Sequence, residues 1–181
     1  VTALILPTDR LHREVVEMLD EFTDDVAHGS GLWNLPEHEL PLRDEAGVRR
    51  WVRVLDMQAD PGSTYLDDTV PSDYWWITDG TPDEPGGRLV GFLAFRHRLN
   101  DWLLEAGGHV GYSVRPSRRR EGHAAAALAL AIRNRAPELG LDRVLVTCDL
   151  DNEGSAGTIL SAGGVQEDVR DGKRRFWVAT A

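Results

Sequence analysis

The chain has 181 residues, enough for one domain with a real hydrophobic core. Its 41% apolar content excludes wholesale disorder, and its single cysteine, Cys148, excludes an internal disulfide framework and a multi-cysteine zinc site. The net charge of -10 makes nucleic acid a poor partner, because phosphate neutralisation dominates that kind of binding.

The charge is unevenly placed: residues 1–87 hold 19 acids against 6 bases, and residues 88–181 hold 11 against 14. Two ligands of opposite sign meeting in one domain would give that asymmetry, and so would a solvated acidic face. No apolar run approaches the ~20 residues needed to span a bilayer. Val1 to Pro7 lacks a basic-then-apolar leader. The expected location is therefore the cytoplasm, away from any membrane.

The first third reads as mainly helical. Leu11, Val15, Val16, Met18, Leu19 and Phe22 form an apolar stripe at helical spacing, with Thr8 or Asp9 as N-cap. A loop with Gly29-Ser30-Gly31, Pro36 and Pro41 leads to a second helix over Glu45 to Met57, whose inner face carries Val48, Trp51, Val52 and Leu55. Residues 60–73 are rich in Pro, Gly, Ser and Asp and read as irregular. Strands follow at Tyr74–Thr78, Leu89–Phe95 and Gly108–Val114, with a turn-rich connector over Gly80–Gly87. Pro116 ends the third strand.

An Ala-rich helix is predicted from Gly122 to Arg135, with Ala124, Leu128, Ala131 and Ile132 inward; Pro137 and Gly140 stop it. Val144–Cys148 reads as a buried strand. A short helix capped near Asp151 or Asn152 runs to Gly163-Gly164, and two last strands lie around Val165 and Phe176–Val178, joined at Asp171-Gly172.

The chemistry concentrates where strand, basic turn and helix meet, in Gly111 to Ala124. A helix N-terminus leaves backbone N–H groups unpaired and carries partial positive charge, so it attracts phosphate. Gly122 and Ala124 keep side chains small where a pyrophosphate would approach the backbone. Arg115, Arg118, Arg119 and Arg120 place four permanent cations within six residues. Taken alone, that cluster is better read as a solvated basic turn. With a strand before it and an Ala-rich helix after it, an anion site is the better reading. The histidines show no metal-ligand spacing, so no metal is expected.

Arg119-x-x-Gly122-x-Ala124 resembles the Arg/Gln-x-x-Gly-x-Gly/Ala motif of the GNAT superfamily of N-acetyltransferases. The likeness runs from about Leu89 to Glu167. The run from Gly107 to Pro116, with Leu145–Asp149 and Gly163-Gly164, is similar to a bacterial subgroup of predicted acetyltransferases. The resemblance implies an α+β fold of the α/β/α GNAT type, with a central mixed, mostly antiparallel, splayed sheet flanked by helices. One domain over 1–181 is expected. Residues 1–87 would supply acceptor-side helices and first strands, 88–170 the acyl-CoA-binding core and 171–181 a C-terminal strand.

The family likeness also implies acetyl-CoA as co-substrate and transfer of acetyl to a primary amine by direct attack. Arg120, Gly122, His123 and Ala124 would offer backbone N–H groups to the pyrophosphate, flanked by Arg115, Arg119 and Glu121. Ser113 and Val114 would hold the pantetheine arm as an added strand. Asn152 and Ser155 sit where the family contacts that arm; helix N-capping is the alternative for both, and the two roles can hold at once. A backbone N–H near Val114 would meet the developing oxyanion.

His109 is the preferred base, beside the motif on its strand, with Glu105 as runner-up; a structural role is the alternative for the histidine. Many relatives place a tyrosine seven residues after the Asn as acid toward the CoA sulfur, where this chain has Ile159. Ser155, Tyr112 and Cys148 are the substitutes to weigh, together with unassisted departure of the thiolate. Cys148 is better read as a small buried hydrophobe than as a nucleophile. Trp33 and Asn34 are the expected acceptor contacts; an aromatic, acidic wall would suit a cationic or aromatic amine, small molecule or peptide. A homodimer stays open. Because of Ile159, a catalytically impaired acyl-CoA sensor is the rival to an enzyme.

Overall fold

The computed structural model describes residues 1–23, 25–63, 69–80 and 88–180. Its centre is a seven-stranded sheet in the order β1-β2-β3-β4-β5-β7-β6. The strands are β1 (Thr2–Ile5), β2 (Ser72–Asp79), β3 (Arg88–Arg96), β4 (Val110–Val114), β5 (Arg143–Asp149), β6 (Val165–Arg170) and β7 (Lys173–Ala179). All neighbours run antiparallel except β4 and β5. Four helices, α1 (His12–Asp20), α2 (Glu45–Ala59), α3 (His123–Arg135) and α4 (Glu153–Ser161), cover the two faces. The mixed, mostly antiparallel, helix-flanked sheet is the fold expected.

Two apolar layers follow from strand alternation. Tyr74, Trp76, Leu89, Phe92 and Ala94 pack with Val15 and Met18 of α1 and Val48, Trp51 and Leu55 of α2. Trp51 packs tilted against Trp76 and meets Phe92 edge-on, with ring centres 5.6 and 5.8 Å away. The opposite layer joins Ile77, Leu93, Phe95, Val144, Val146 and Phe176 to Ala127, Leu128, Ala131 and Ile132 of α3. Ala124, expected in that inner stripe, is only partly buried because it lines the cleft described below.

Capping follows the sequence signals. Thr8 caps the 3-10 turn Asp9–Leu11 that opens α1, Asp44 accepts the Gly47 N–H at α2, and Asn152 accepts the Ser155 N–H at 2.9 Å at α4. The β6–β7 hairpin turns on Asp171 and Gly172, both with positive φ. Two elements depart from the reading of the sequence. Thr2–Ile5 is an edge strand bonded to β2, and Leu103–Gly107 forms one π-helical turn ahead of β4. Most of the predicted connector at Gly80–Gly87 lies outside the described residues.

Candidate active site

Parallel strands β4 and β5 touch at one register point, Val110 opposite Val146. Beyond it they diverge. The Arg96 N–H bonds the His109 carbonyl at 2.7 Å and the Arg115 N–H bonds the Val90 carbonyl at 2.8 Å, so from Gly111 to Arg115 the odd-numbered residues pair with β3, whereas the His109 N–H turns to the Leu145 carbonyl of β5 at 2.7 Å. In an antiparallel ladder the backbone groups of the intervening residues then point the other way. Tyr112 and Val114 therefore turn their N–H and C=O groups toward the gap.

The gap opens into a cleft of about 1420 Å³. At one end lies the N-terminus of α3, where the first helical bond runs from the Ala126 N–H to the Gly122 carbonyl. By helix geometry the N–H groups of His123, Ala124 and Ala125 stay outside the ladder. Gly122 holds φ +86° at the helix entry, and a side chain there would meet nothing within 4 Å. Arg120 also has positive φ, 69°. Successive turns of this kind gather N–H groups into an anion-binding concavity.

Arg118, Arg119 and Arg120 border this end. Arg119 donates to the Val114 carbonyl (3.1 Å) and pairs with Asp25 (2.8 Å), while Arg118 pairs with Asp79 (2.6 Å) and Glu121 (2.8 Å). Arg115 turns away from the cleft. It is buried against Glu21, whose carboxylate also accepts the Ser117 N–H at 3.0 Å. That pairing holds the Glu21 pKa at about 2. The fourth arginine of the cluster thus ties α1 to the end of β4. Glu121 is occupied by Arg118 and by His123 Nε2 at 3.2 Å, and its side chain is not on the cleft wall.

In the middle, Tyr112 of β4 meets Ser155 of α4, with the two hydroxyl oxygens 2.8 Å apart. Burial pushes the Tyr112 pKa to about 12 despite that bond, so the phenol keeps its proton. Ile159 faces the core, fully buried and packed on Gly164. Ser113 donates to the His28 carbonyl at 2.7 Å and so fixes the loop after α1 against β4. Cys148 is buried on the β5 wall, where burial raises its pKa.

The other end is lined by Trp33, Asn34, Gln58, Tyr74, Arg96 and Trp102. Asn34 donates to the Tyr74 hydroxyl at 3.2 Å, which donates to Gln58 at 2.8 Å. Trp33 and Trp102 are 53% and 65% exposed, so each offers a ring face to whatever enters. The carboxylates among the described residues on the cleft wall are each paired: Asp25 with Arg119, Asp149 with Lys173 and Glu153 with Arg174.

His109 is placed behind the wall. Its Nδ1 accepts the Leu145 N–H at 2.9 Å, and its ring lies between Phe95 and Trp177. Burial and the Arg96 charge lower its pKa to about 4. Glu105 pairs with Arg170 at 2.8 Å on the outside. Neither lines the cleft. His28 does, and it was not singled out in the sequence. Burial, then the neighbouring Lys173 charge, lowers its pKa. Arg96 was missed too, although its even position places it on the same face as Phe92 and Ala94 at the end of an apolar strand.

No cluster of metal-ligating side chains occurs among the described residues, and no helix among them is long and apolar enough to cross a membrane. No curated protein sequence matches the chain. Solved structures do. Mycobacterium smegmatis RimJ in complex with CoA-disulfide aligns at 18% identity and TM-score 0.66, over 99% of this chain and 82% of that one. The microcin C7 self-immunity acetyltransferase MccE, in complex with acetyl-CoA and AMP, aligns at 13% identity and TM-score 0.61, over 98% and 92%. YncA from Salmonella typhimurium, with its cofactor acetyl-CoA, aligns at 14% identity and TM-score 0.57, over 99% and 94%. At such identities these likenesses speak for the fold. The profile of the GNAT acetyltransferase domain matches residues 25–165, from the loop after α1 to the start of β6, and the chain belongs to that family.

Proposed function

We propose that the protein is an acetyl-CoA-dependent N-acetyltransferase acting on a primary amine by direct attack. The observation that carries this reading is the divergence of β4 from β5 beyond Val110 and Val146, with a helix N-terminus at one mouth and a polar, aromatic chamber at the other. RimJ, MccE and YncA, in complex with CoA-disulfide or acetyl-CoA, support it.

The residues present fit the co-substrate. The N–H groups at the start of α3 and the guanidiniums of Arg119 and Arg120 suit a pyrophosphate, and the outward N–H groups of Tyr112 and Val114 with the Tyr112 C=O suit a peptide-like arm. Acetyl-CoA supplies an activated acetyl thioester. The outward N–H of Tyr112 or Val114 polarises its carbonyl oxygen. The amine attacks the carbonyl carbon, the C–S bond breaks, one amine proton leaves and the thiolate gains one. Products are the acetamide and the free thiol.

For the departing amine proton, His28 is better placed than His109, because it lines the cleft and its lowered pKa keeps the imidazole neutral at pH 7. For the thiolate, the Tyr112–Ser155 pair offers a proton at the gap. Ile159 packs into the core, and the hydroxyl pair at the gap in its place supports an enzyme over an impaired sensor. Calorimetry with acetyl-CoA and with ATP tests the binding half: saturable binding of acetyl-CoA alone is expected, and its absence would sink the proposal. Thiol release over an amine panel tests the transfer half.

A further inference from the structure

Among the described residues that line the cleft, Arg96 carries a permanent charge beside Tyr74 and Trp102, while Lys173 and Asp149, also on the wall, pair with each other. Its guanidinium donates through Nη1 to the carbonyls of Gly107 and Gly108, both at 3.1 Å. No carboxylate lies within ion-pair reach of it among the described residues. A guanidinium cannot shed its proton to escape burial, so an unpaired one in a wall costs free energy unless something neutralises it. Two neutral carbonyls on one nitrogen leave Nη2 and Nε, the edge that matches a carboxylate in bidentate geometry.

The position is specific. A side chain carbon at Gly111 would lie 3.6 Å from Nη2 and 3.7 Å from Nη1, ordinary van der Waals contact, so the guanidinium lies against β4 at that strand position. Gly111 stands between Val110, where the strands part, and Tyr112, whose hydroxyl meets Ser155. An anion on Arg96 would therefore be held a short reach from the reacting centre. Trp33 and Trp102 add exposed rings at the same end of the cleft.

Resting on the acetyltransferase reading above, we propose that the acceptor is an amino acid-like molecule whose carboxylate is bound by Arg96, with an apolar or aromatic body against Trp33 and Trp102. The carboxylate fixes the molecule, and the amine on the adjacent carbon is left pointing at the gap. This replaces the cationic acceptor that an acidic wall would have favoured.

The test uses matched pairs of amines: phenylalanine against phenethylamine, tryptophan against tryptamine, leucine against isopentylamine, each also against its carboxamide. Thiol release with the full chain should favour the carboxylate member of a pair by about 10- to 100-fold in kcat/KM, the range expected for hydrogen bonds to a charged group. Arg96→Gln should collapse that ratio toward one, and Arg96→Lys should keep part of it. Acetyl-CoA affinity, measured by calorimetry, should stay unchanged in both. Equal rates within every wild-type pair, no turnover of any carboxylate-bearing amine, or an equal loss for both members in Arg96→Gln would overturn the proposal. Because the wild-type comparison needs no variant, a folding defect in Arg96→Gln leaves it decidable. Failure of acetyl-CoA to bind is a separate result, directed at the reaction class rather than at the acceptor.

Discussion

At the residue scale, the hydroxyl pair at the gap makes the sharpest prediction. Tyr112→Phe removes the proton donor but keeps the ring, so kcat should fall by about 10- to 100-fold while acetyl-CoA affinity holds. Stopped assays with thiol detection read both. Ser155→Ala should cost less, and the double variant should lose little beyond Tyr112→Phe, because the two hydroxyls act as one relay. His28 makes a second prediction. Its lowered pKa means the ring is already neutral below the ordinary 6.5. The acidic limb of kcat/KM should therefore lie under that value, and His28→Gln should abolish the limb together with most of the rate. A limb that survives His28→Gln and vanishes in His109→Gln would reassign the base. Neither the pair nor His28 was visible as a unit in the sequence. Tyr112 and Ser155 are far apart along the chain, and what joins them is the side of β4 from which even-numbered residues project.

At the element scale, the readable parts were those whose determinants are local. The α3 motif, the Asn152 cap, the Asp171-Gly172 turn and the buried β5 each carry their signal within a few residues. What escaped is decided across distance. The four-residue strand β1 is too short to show alternation, and only pairing with β2 defines it. Arg115 sits in a basic cluster, yet Glu21, 94 residues away, claims it. Arg96 shows the reverse: alternation along β3 already pointed it inward, a signal that was there to be used. The loop after α1 offers a test at this scale. Gly29 has φ +80°, and a side chain carbon there would lie 2.4 Å from the Gly111 carbonyl oxygen. Gly29→Ala combines a strained backbone with a clash against β4, so a stability loss of about 2–3 kcal/mol is expected. Urea melts should show it, and activity should fall further than stability because the loop carries His28 and Trp33.

For the whole molecule, the shifted titrations of buried His109 and partly exposed Glu21 contribute to the response to acid. His109 is held at about 4 against an ordinary 6.5, so the unfolded chain takes up a proton first as pH falls through that interval. Stability present above pH 6.5 is lost progressively toward pH 4. Glu21 lies at about 2 against 4.5, so its contribution is present above pH 4.5 and lost on the way to pH 2. Each step should remove roughly 2 kcal/mol after allowance for solvent screening. Melting temperatures recorded from pH 8 to pH 3 should fall in two stages. His109→Gln should flatten the upper stage and Glu21→Gln the lower. An unchanged profile in either variant would assign that stage to another group.

The single register pair between β4 and β5 has one more consequence, which amide hydrogen exchange can read. Along β4 the N–H groups alternate between β3 and the open gap. Gly111 and Ser113 should exchange slowly with or without co-substrate, since their bonds are internal to the sheet. Tyr112 and Val114 should exchange quickly in the free protein and slow down when acetyl-CoA is added. The footprint of binding on this strand would thus have a period of two residues. A uniform slowing along β4 would mean instead that the strand as a whole had tightened.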